Sequence, residues 1–136
     1  MARFTGPLIL RDGVKWTVEQ QFTFISDKRG RIVVPKGFET DLASVPQLLQ
    51  FLVPKVSIAY NQPAVVHDWL YYLSQIGRAR LTRRQSDEVL REGIRVQEAR
   101  YGLPGVADAV YHAVRIGSVG SWGPPRVIDD DKDDIE

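Results

Sequence analysis

The first 35 residues alternate between short apolar or β-branched runs and turn residues, which is the pattern of a small antiparallel sheet. Asp12-Gly13 lies between two such runs and predicts a hairpin with a type I′ turn, because both central residues of that turn need a positive φ. Pro35 and Gly37 end the pattern, since proline cannot donate to a central ladder. The N-terminal part is therefore predicted to form an antiparallel β-meander, with strand runs at 7–11, 15–20, 21–26 and 31–34.

Further along the chain, apolar residues recur every three to four positions, which predicts helices. A short helix is expected to begin at Pro46, with Ser44 as its cap and Pro54 as its end. Pro63 is predicted to open a longer helix that ends at Gly77, because proline is favoured in the first helical turn. The apolar stripe of this helix comprises Val65, Val66, Trp69, Leu70, Leu73 and Ile76.

Two more helices follow in the predicted arrangement. Thr82 and Gln85 have the spacing of a capping box, and Gly102 ends the helix that they begin. The buried side of this helix comprises Leu90 and Ile94. A last helix runs from Pro104 to Gly117, and its inward positions are Val106, Val110, Ala113 and Val114. The sequence thus predicts an α+β fold, in which a small N-terminal antiparallel meander carries three to four helices packed on one side.

Composition indicates one folded domain with a distinct C-terminal tail. The chain has 136 residues, of which 43% are hydrophobic and 26% are charged, close to the globular average. A single domain is expected over 1–122, and 123–136 is expected to be a Gly/Pro break followed by a flexible acidic tail. The alternative for the tail is docking on a basic face of a neighbouring subunit. No membrane span and no secretory signal are expected.

Charge and residue usage exclude several classes of site. The formal net charge is +1, but residues 129–136 contribute −5, so that residues 1–128 carry +6. This charge permits nucleic-acid binding without requiring it, and the aromatic residues around Trp69 have the spacing of core packing rather than base stacking. Nucleic acid is therefore a disfavoured partner. The absence of cysteine excludes disulfides and thiolate metal sites, which leaves His, Asp and Glu as metal ligands.

Polar residues in the segment 38–46 form the first candidate site. Thr40, Asp41 and Ser44 have side chains that bond nearby backbone amides in turns and helix caps. The functional alternative is that Asp41 supplies a carboxylate as a metal ligand or general base.

His67 and Asp68 form the second candidate site, within the longer predicted helix. His67 shares a helix face with Tyr71, four residues later. No histidine precedes His67, so a dimetal site of two histidines and two aspartates is not expected. A mononuclear metal site with carboxylates stays open.

Asp87 is the third candidate, because it lies on the apolar stripe of its helix, where an ionised carboxylate must find donors. One interpretation satisfies it locally, through Ser86, Arg83 or Arg84 at the helix start. The other pairs it with His67 across two packed helices. A separate i, i+4 pair, Asp108 and His112 with Arg115 beyond it, is typical of an exposed helix face.

Several segments together resemble the domain-of-unknown-function family numbered 1353, over roughly residues 1–122. They are MARFTGPL at 1–8, IVVPKGFETDLASVP at 32–46, AVVHDWLY at 64–71, the Ser86-Asp87 step and YHAVR at 111–115. The resemblance implies a bacteriophage or prophage origin and a shared polar set: Thr40, Asp41, Ser44, His67, Asp68 and Asp87. The chain departs from the family at Gln47 and Gln50, where arginine and tryptophan are usual, and at His112.

Two functional hypotheses follow. The first is a non-catalytic virion or virion-assembly component, such as a head or tail accessory protein, that acts in the virion or in the host cytoplasm. Its partners are other phage structural proteins or further copies of itself, and its polar set is a buried network. The second is a metal-dependent hydrolase of cell-wall peptide or amide bonds. Asp41, His67 and Asp87 would hold zinc, and Asp68 would act as general base or ligand orienter; a metal-free variant uses His67 as the acid/base.

Overall fold

The computed structural model describes residues 1–40, 57–102, 105–117 and 122–124. Strands precede helices along this part of the chain, so the predicted α+β class is confirmed. The strands are β1 (Arg3–Thr5), β2 (Leu10–Arg11), β3 (Trp16–Val18), β4 (Phe22–Ser26), β5 (Gly30–Val34) and β6 (Glu39–Thr40). The helices are α1 (Ser57–Gln75), α2 (Arg83–Tyr101) and α3 (Ala107–Gly117).

The strands form two small antiparallel sheets rather than one consecutive meander. One sheet has the order β1-β4-β5 and the other β2-β3-β6. β1 was not predicted, because its three residues hold a single large apolar side chain, Phe4, which pairs across the sheet with Phe24. β6 was not predicted either, since Glu39 and Thr40 read as the start of a polar loop; they pair with Thr17 and Trp16 of β3.

The predicted Asp12-Gly13 hairpin is present, but its turn is not type I′. Leu10 pairs with Val18 and Arg11 with Thr17, so that four residues, 12–15, connect β2 and β3. Gly13 does not adopt a positive φ, whereas Gly30, at the end of the tighter β4–β5 turn, has a φ of 76°. A four-residue connection removes the steric demand that a two-residue loop makes on both central positions.

The prediction that Pro63 opens a helix is wrong, because α1 begins at Ser57 and passes through Pro63. A proline within a helix lacks one backbone donor, which normally disfavours this position. Here the Pro63 ring is buried against α2, where a Cβ added to Gly93 would lie 3.1 Å from the Pro63 Cβ. The helix predicted from Pro46 lies outside the described residues.

The limits of α2 agree with the sequence. The side chain of Thr82 accepts from the Gln85 amide at 3.1 Å, and the side chain of Gln85 accepts from the Thr82 amide at 3.0 Å, which completes the predicted capping box. Gly102 ends α2 in the left-handed conformation, with a φ of 65°. α3 ends at Gly117 as predicted, whereas the predicted start of this helix, Pro104, lies outside the described residues.

Two apolar clusters lie on different sides of the α1–α2 pair. The first joins strands to α1 and α2 and comprises Ala2, Val18, Phe22, Phe24, Ile32, Val34, Val65, Val66, Leu70 and Val89. The second joins the three helices and comprises Tyr60, Ala64, Leu90, Ile94, Ala107, Val110 and Val114. α1 and α2 therefore form a middle layer, with the strands on one side and α3 on the other.

The chain contacts α1 again near the predicted domain boundary. The Trp122 ring meets the Tyr71 ring edge to face with centroids 4.9 Å apart, and the Gly123 amide donates to the Ser74 hydroxyl at 3.1 Å. The acidic run at 129–136 lies outside the described residues. Across the part of the chain that is described, no helix has the length and apolar character that a bilayer span requires.

Candidate functional site

The side chain of Asp87 is fully buried in the second turn of α2, as its position on the apolar stripe predicted. Leu90 and Ile94, three and seven residues later, are buried on the same side of the helix. The capping box at Thr82 fixes the start of α2, so the carboxylate of Asp87 is held toward the other helices. An ionised carboxylate in this position requires several donors.

Two donors come from α1. His67 Nε2 lies 2.7 Å from Asp87 Oδ1, and the Tyr71 hydroxyl donates to the same oxygen at 2.6 Å. The two rings lie one helical turn apart and are tilted at 41° to each other, with centroids separated by 4.4 Å. The structure thus brings together His67 and Asp87, the pairing that the sequence offered as one of two interpretations.

Arginines approach the other carboxylate oxygen. Arg115 Nη1, from α3, donates to Asp87 Oδ2 at 2.9 Å. Arg83 Nη1, from the first turn of α2, lies 3.7 Å from Oδ2 and also donates to the backbone carbonyl of Arg115 at 3.2 Å. The interpretation that residues at the start of α2 satisfy Asp87 is therefore correct for Arg83. The pairing with His67 is present at the same time, so the two interpretations are not exclusive.

Arg115 was missed, because its spacing from Asp108 and His112 resembled an exposed ionic face. Asp108 instead pairs across helices with Arg95, at 2.6 Å, while His112 is exposed. Arg115 directly follows the buried Val114, so its long side chain reaches inward past the edge of the apolar stripe. A buried carboxylate on the facing helix was the signal that would have singled out an arginine here.

The network keeps Asp87 ionised. Burial opposes ionisation, but the hydrogen bonds from His67 and Tyr71, the charge of His67 and the hydrogen bond from Arg115 together lower the pKa of Asp87 below its ordinary value. His67 Nδ1 is also buried, and it has no hydrogen-bond partner among the described residues. The pair therefore leaves one imidazole nitrogen without a described partner inside the protein.

Asp68 takes part in a second contact. The Thr40 hydroxyl, at the end of β6, donates to Asp68 Oδ2. Phe38 packs beside this contact, with its ring centroid 5.2 Å from that of Trp69. The predicted polar set is therefore divided: His67 meets Asp87 on α2, whereas Asp68 meets Thr40 on β6. Asp41 and Ser44 lie outside the described residues.

Residues 16–114 match the family described as Protein of unknown function (DUF1353). The chain belongs to this family. The match confirms the resemblance noted from the sequence, while the phage origin stays a prediction. No curated protein and no solved structure matches the chain. The His67–Asp87 pair and its donors Tyr71 and Arg83 lie within the matched segment of this DUF1353 protein, and Arg115 directly follows it.

The chemistry available to this DUF1353 site depends on which groups are engaged. Asp87 accepts through both oxygens, and His67 uses Nε2 for that same carboxylate. Among the described residues, no group of three His, Cys, Asp or Glu side chains is placed to hold a metal ion. The predicted ligand set of Asp41, His67 and Asp87 includes one residue beyond the described part and stays a prediction.

Proposed function

We propose that the protein is a non-catalytic virion or virion-assembly component of a bacteriophage, a head or tail accessory protein that contacts other structural proteins or further copies of itself. It would act in the virion, or in the host cytoplasm during assembly. The observation that carries this proposal is the complete burial of both His67 and Asp87, whose side chains are 0% exposed. Side chains without access to solvent cannot contact a substrate in this arrangement, but they can hold the helices that carry them in one relative position.

The network supports a structural role through its connectivity. One carboxylate accepts from His67 and Tyr71 of α1 and from Arg115 of α3, while it belongs to α2 itself. A buried polar network with its donors in place defines one arrangement of the elements, since other arrangements would leave a charge unpaired in a low-dielectric interior. A protein that is copied into a regular particle benefits from such a single arrangement.

The experiment compares His67→Ala and Asp87→Asn with Asp108→Asn, which removes a carboxylate that is 65% exposed. Each chain is co-expressed with the other structural proteins of its phage, and particles are isolated by sedimentation. We expect the two network variants to unfold with a free energy lower by about 3–5 kcal/mol and to be depleted from particles. The control loses less than about 1 kcal/mol and is incorporated normally. Wild-type protein that never sediments with particles would refute the proposal.

The second candidate, a zinc-dependent hydrolase of cell-wall peptide or amide bonds, is favoured by one observation. His67 Nδ1 is buried without a partner among the described residues, and a buried imidazole nitrogen is a common metal ligand. Under this proposal Asp41, His67 and Asp87 would hold the ion, the ion would supply an activated water, and Asp68 would be the general base. His67 Nε2 is already bonded to Asp87 Oδ1, so zinc binding must rearrange this pair.

Elemental analysis separates the two candidates. Protein purified without chelator is expected to hold about one zinc per chain if it is a hydrolase. Asp41→Ala should then remove both the zinc and the release of peptides from cell-wall preparations, whereas Asp108→Asn should change neither. Less than about a tenth of an equivalent of any transition metal would defeat the zinc proposal.

A further inference from the structure

Four arginines lie in the seven residues that connect α1 to α2 and begin α2. We call residues 78–84 the arginine turn; its arginines are Arg78, Arg80, Arg83 and Arg84. Between Asp68 and Asp87 the sequence contains no acidic residue. The turn is therefore a local concentration of positive charge in a chain whose formal net charge is only +1.

Three of these guanidinium groups form no hydrogen bond or ion pair with the described residues. Arg78, Arg80 and Arg84 are exposed, and none of them forms an ion pair with a described residue. Arg83 differs, because it points inward to Asp87 and to the Arg115 carbonyl. Some arginines elsewhere on the described surface have acidic partners, as in the pairs Arg29–Glu88 and Arg95–Asp108, whereas Arg3, Arg31 and Arg100 are exposed without one but lie far apart in the sequence.

We propose that the arginine turn binds the phosphate backbone of nucleic acid, independently of base sequence. Clustered like charges repel one another, and a polyanion relieves that repulsion by bringing several negative charges to one short segment. Guanidinium groups bind phosphate oxygens through paired hydrogen bonds, and duplex DNA offers one charge per about 1.7 Å of its axis. The spacing of aromatic residues, which disfavoured base stacking, does not bear on backbone contacts.

The binding experiment uses the full chain and a fluorescent 20-base-pair DNA duplex. Anisotropy is measured between 50 and 200 mM salt. Three phosphate contacts predict a slope of about −2.7 for the logarithm of the association constant against the logarithm of the salt concentration. The variant with Arg78→Gln, Arg80→Gln and Arg84→Gln should bind at least tenfold more weakly at 50 mM salt, with a slope near zero.

A charge-matched control tests whether the location of the charge matters. Lys28→Gln, Arg31→Gln and Lys36→Gln together remove the same three charges from exposed positions around β5. We expect this variant to bind DNA within twofold of the wild type. Both variants are first checked by thermal unfolding, where loss of the crowded arginines should leave the melting temperature unchanged or higher.

Three outcomes would overturn the proposal. The first is a wild-type chain that does not bind the duplex at 50 mM salt, and the second is an equal loss of binding in the control. The third concerns the kind of polyanion. Unlabelled duplex should displace the labelled DNA at least tenfold more effectively than polyglutamate of equal total charge. Equal displacement by polyglutamate would instead assign the arginine turn to an acidic protein segment.

Discussion

Asp87 is a single carboxylate at the place where three helices meet. Transfer of its charge out of water is costly, and the cost is offset by charged and hydroxyl donors at 2.6–2.9 Å. These donors belong to α1 and α3. If either helix moved away, the buried carboxylate would lose its donors and its charge would be left unpaired. The residue therefore acts on the arrangement of all three helices.

The lowered pKa of Asp87 predicts how stability changes with pH. A carboxyl group whose pKa is lower in the folded state than its unfolded value of about 3.9 stabilises the fold above that value, and the contribution is lost as the pH falls through the folded pKa. Urea unfolding at pH 5.5 and pH 3 should therefore show a larger loss of stability for the wild type than for Asp87→Asn, which cannot titrate. Equal losses in the two proteins would show that Asp87 is not a stabilising carboxylate.

The residues of this site differ in how visible they were in the sequence. His67 and Asp87 are polar residues at or beside apolar stripes, so their meeting across packed helices was predictable from helical periodicity. Arg115 was not, because a long flexible side chain reaches inward from a position that reads as surface. The division of the polar set between α2 and β6 also required tertiary structure, since adjacent residues His67 and Asp68 point to different elements.

At the scale of elements, α1 and α2 approach each other at one glycine and one proline, Gly93 and Pro63. Gly93 has no side chain, so the Pro63 ring and the Phe4 ring come up to the backbone of α2. Sequence rules read Pro63 as a helix start because they weigh its missing donor and not the apolar ring that it buries. At Pro63, packing outweighs helix propensity. The caps predicted at Thr82 and Gly102 are confirmed, because capping depends only on residues close in sequence.

Gly93→Ala tests this interface directly. The added Cβ would lie 3.1 Å from the Pro63 Cβ and 3.3 Å from Phe4 Cζ. Neither ring is free to withdraw, because Pro63 is part of α1 and the Phe4 ring packs against the Phe24 ring, with centroids 4.6 Å apart. Alanine gains about 1 kcal/mol in helix propensity, but overpacking costs more, so we expect a net loss of about 1–2 kcal/mol in urea unfolding. Gly117→Ala is the control and should not destabilise, because no described residue beyond its own stretch of helix lies within 4 Å of the new Cβ.

At the scale of the whole molecule, the strands and α3 lie on different sides of the α1–α2 layer and share no cluster of buried apolar residues. Within the described residues, α3 is held by Ala107, Val110 and Val114 and by three ion pairs to α2. The Arg115–Asp87 pair joins a buried carboxylate, whereas Arg91 and Arg95 both pair with Asp108, whose carboxylate is exposed. The attachment of α3 to α2 therefore includes a polar contact with a buried charge.

Hydrogen exchange in the native protein measures that attachment. Arg115→Gln removes a hydrogen bond to a buried charge, which is worth about 2–3 kcal/mol, so amides of α3 should exchange roughly 30-fold faster or more. Amides of β4 and β5 should change far less, because the apolar cluster that joins the strands to α1 and α2 contains no residue of α3. Arg95→Gln is the matched control: it breaks an exposed pair between the same two helices and should speed exchange by less than about fivefold. If both variants accelerate α3 equally, the buried carboxylate has no special part in holding the third helix.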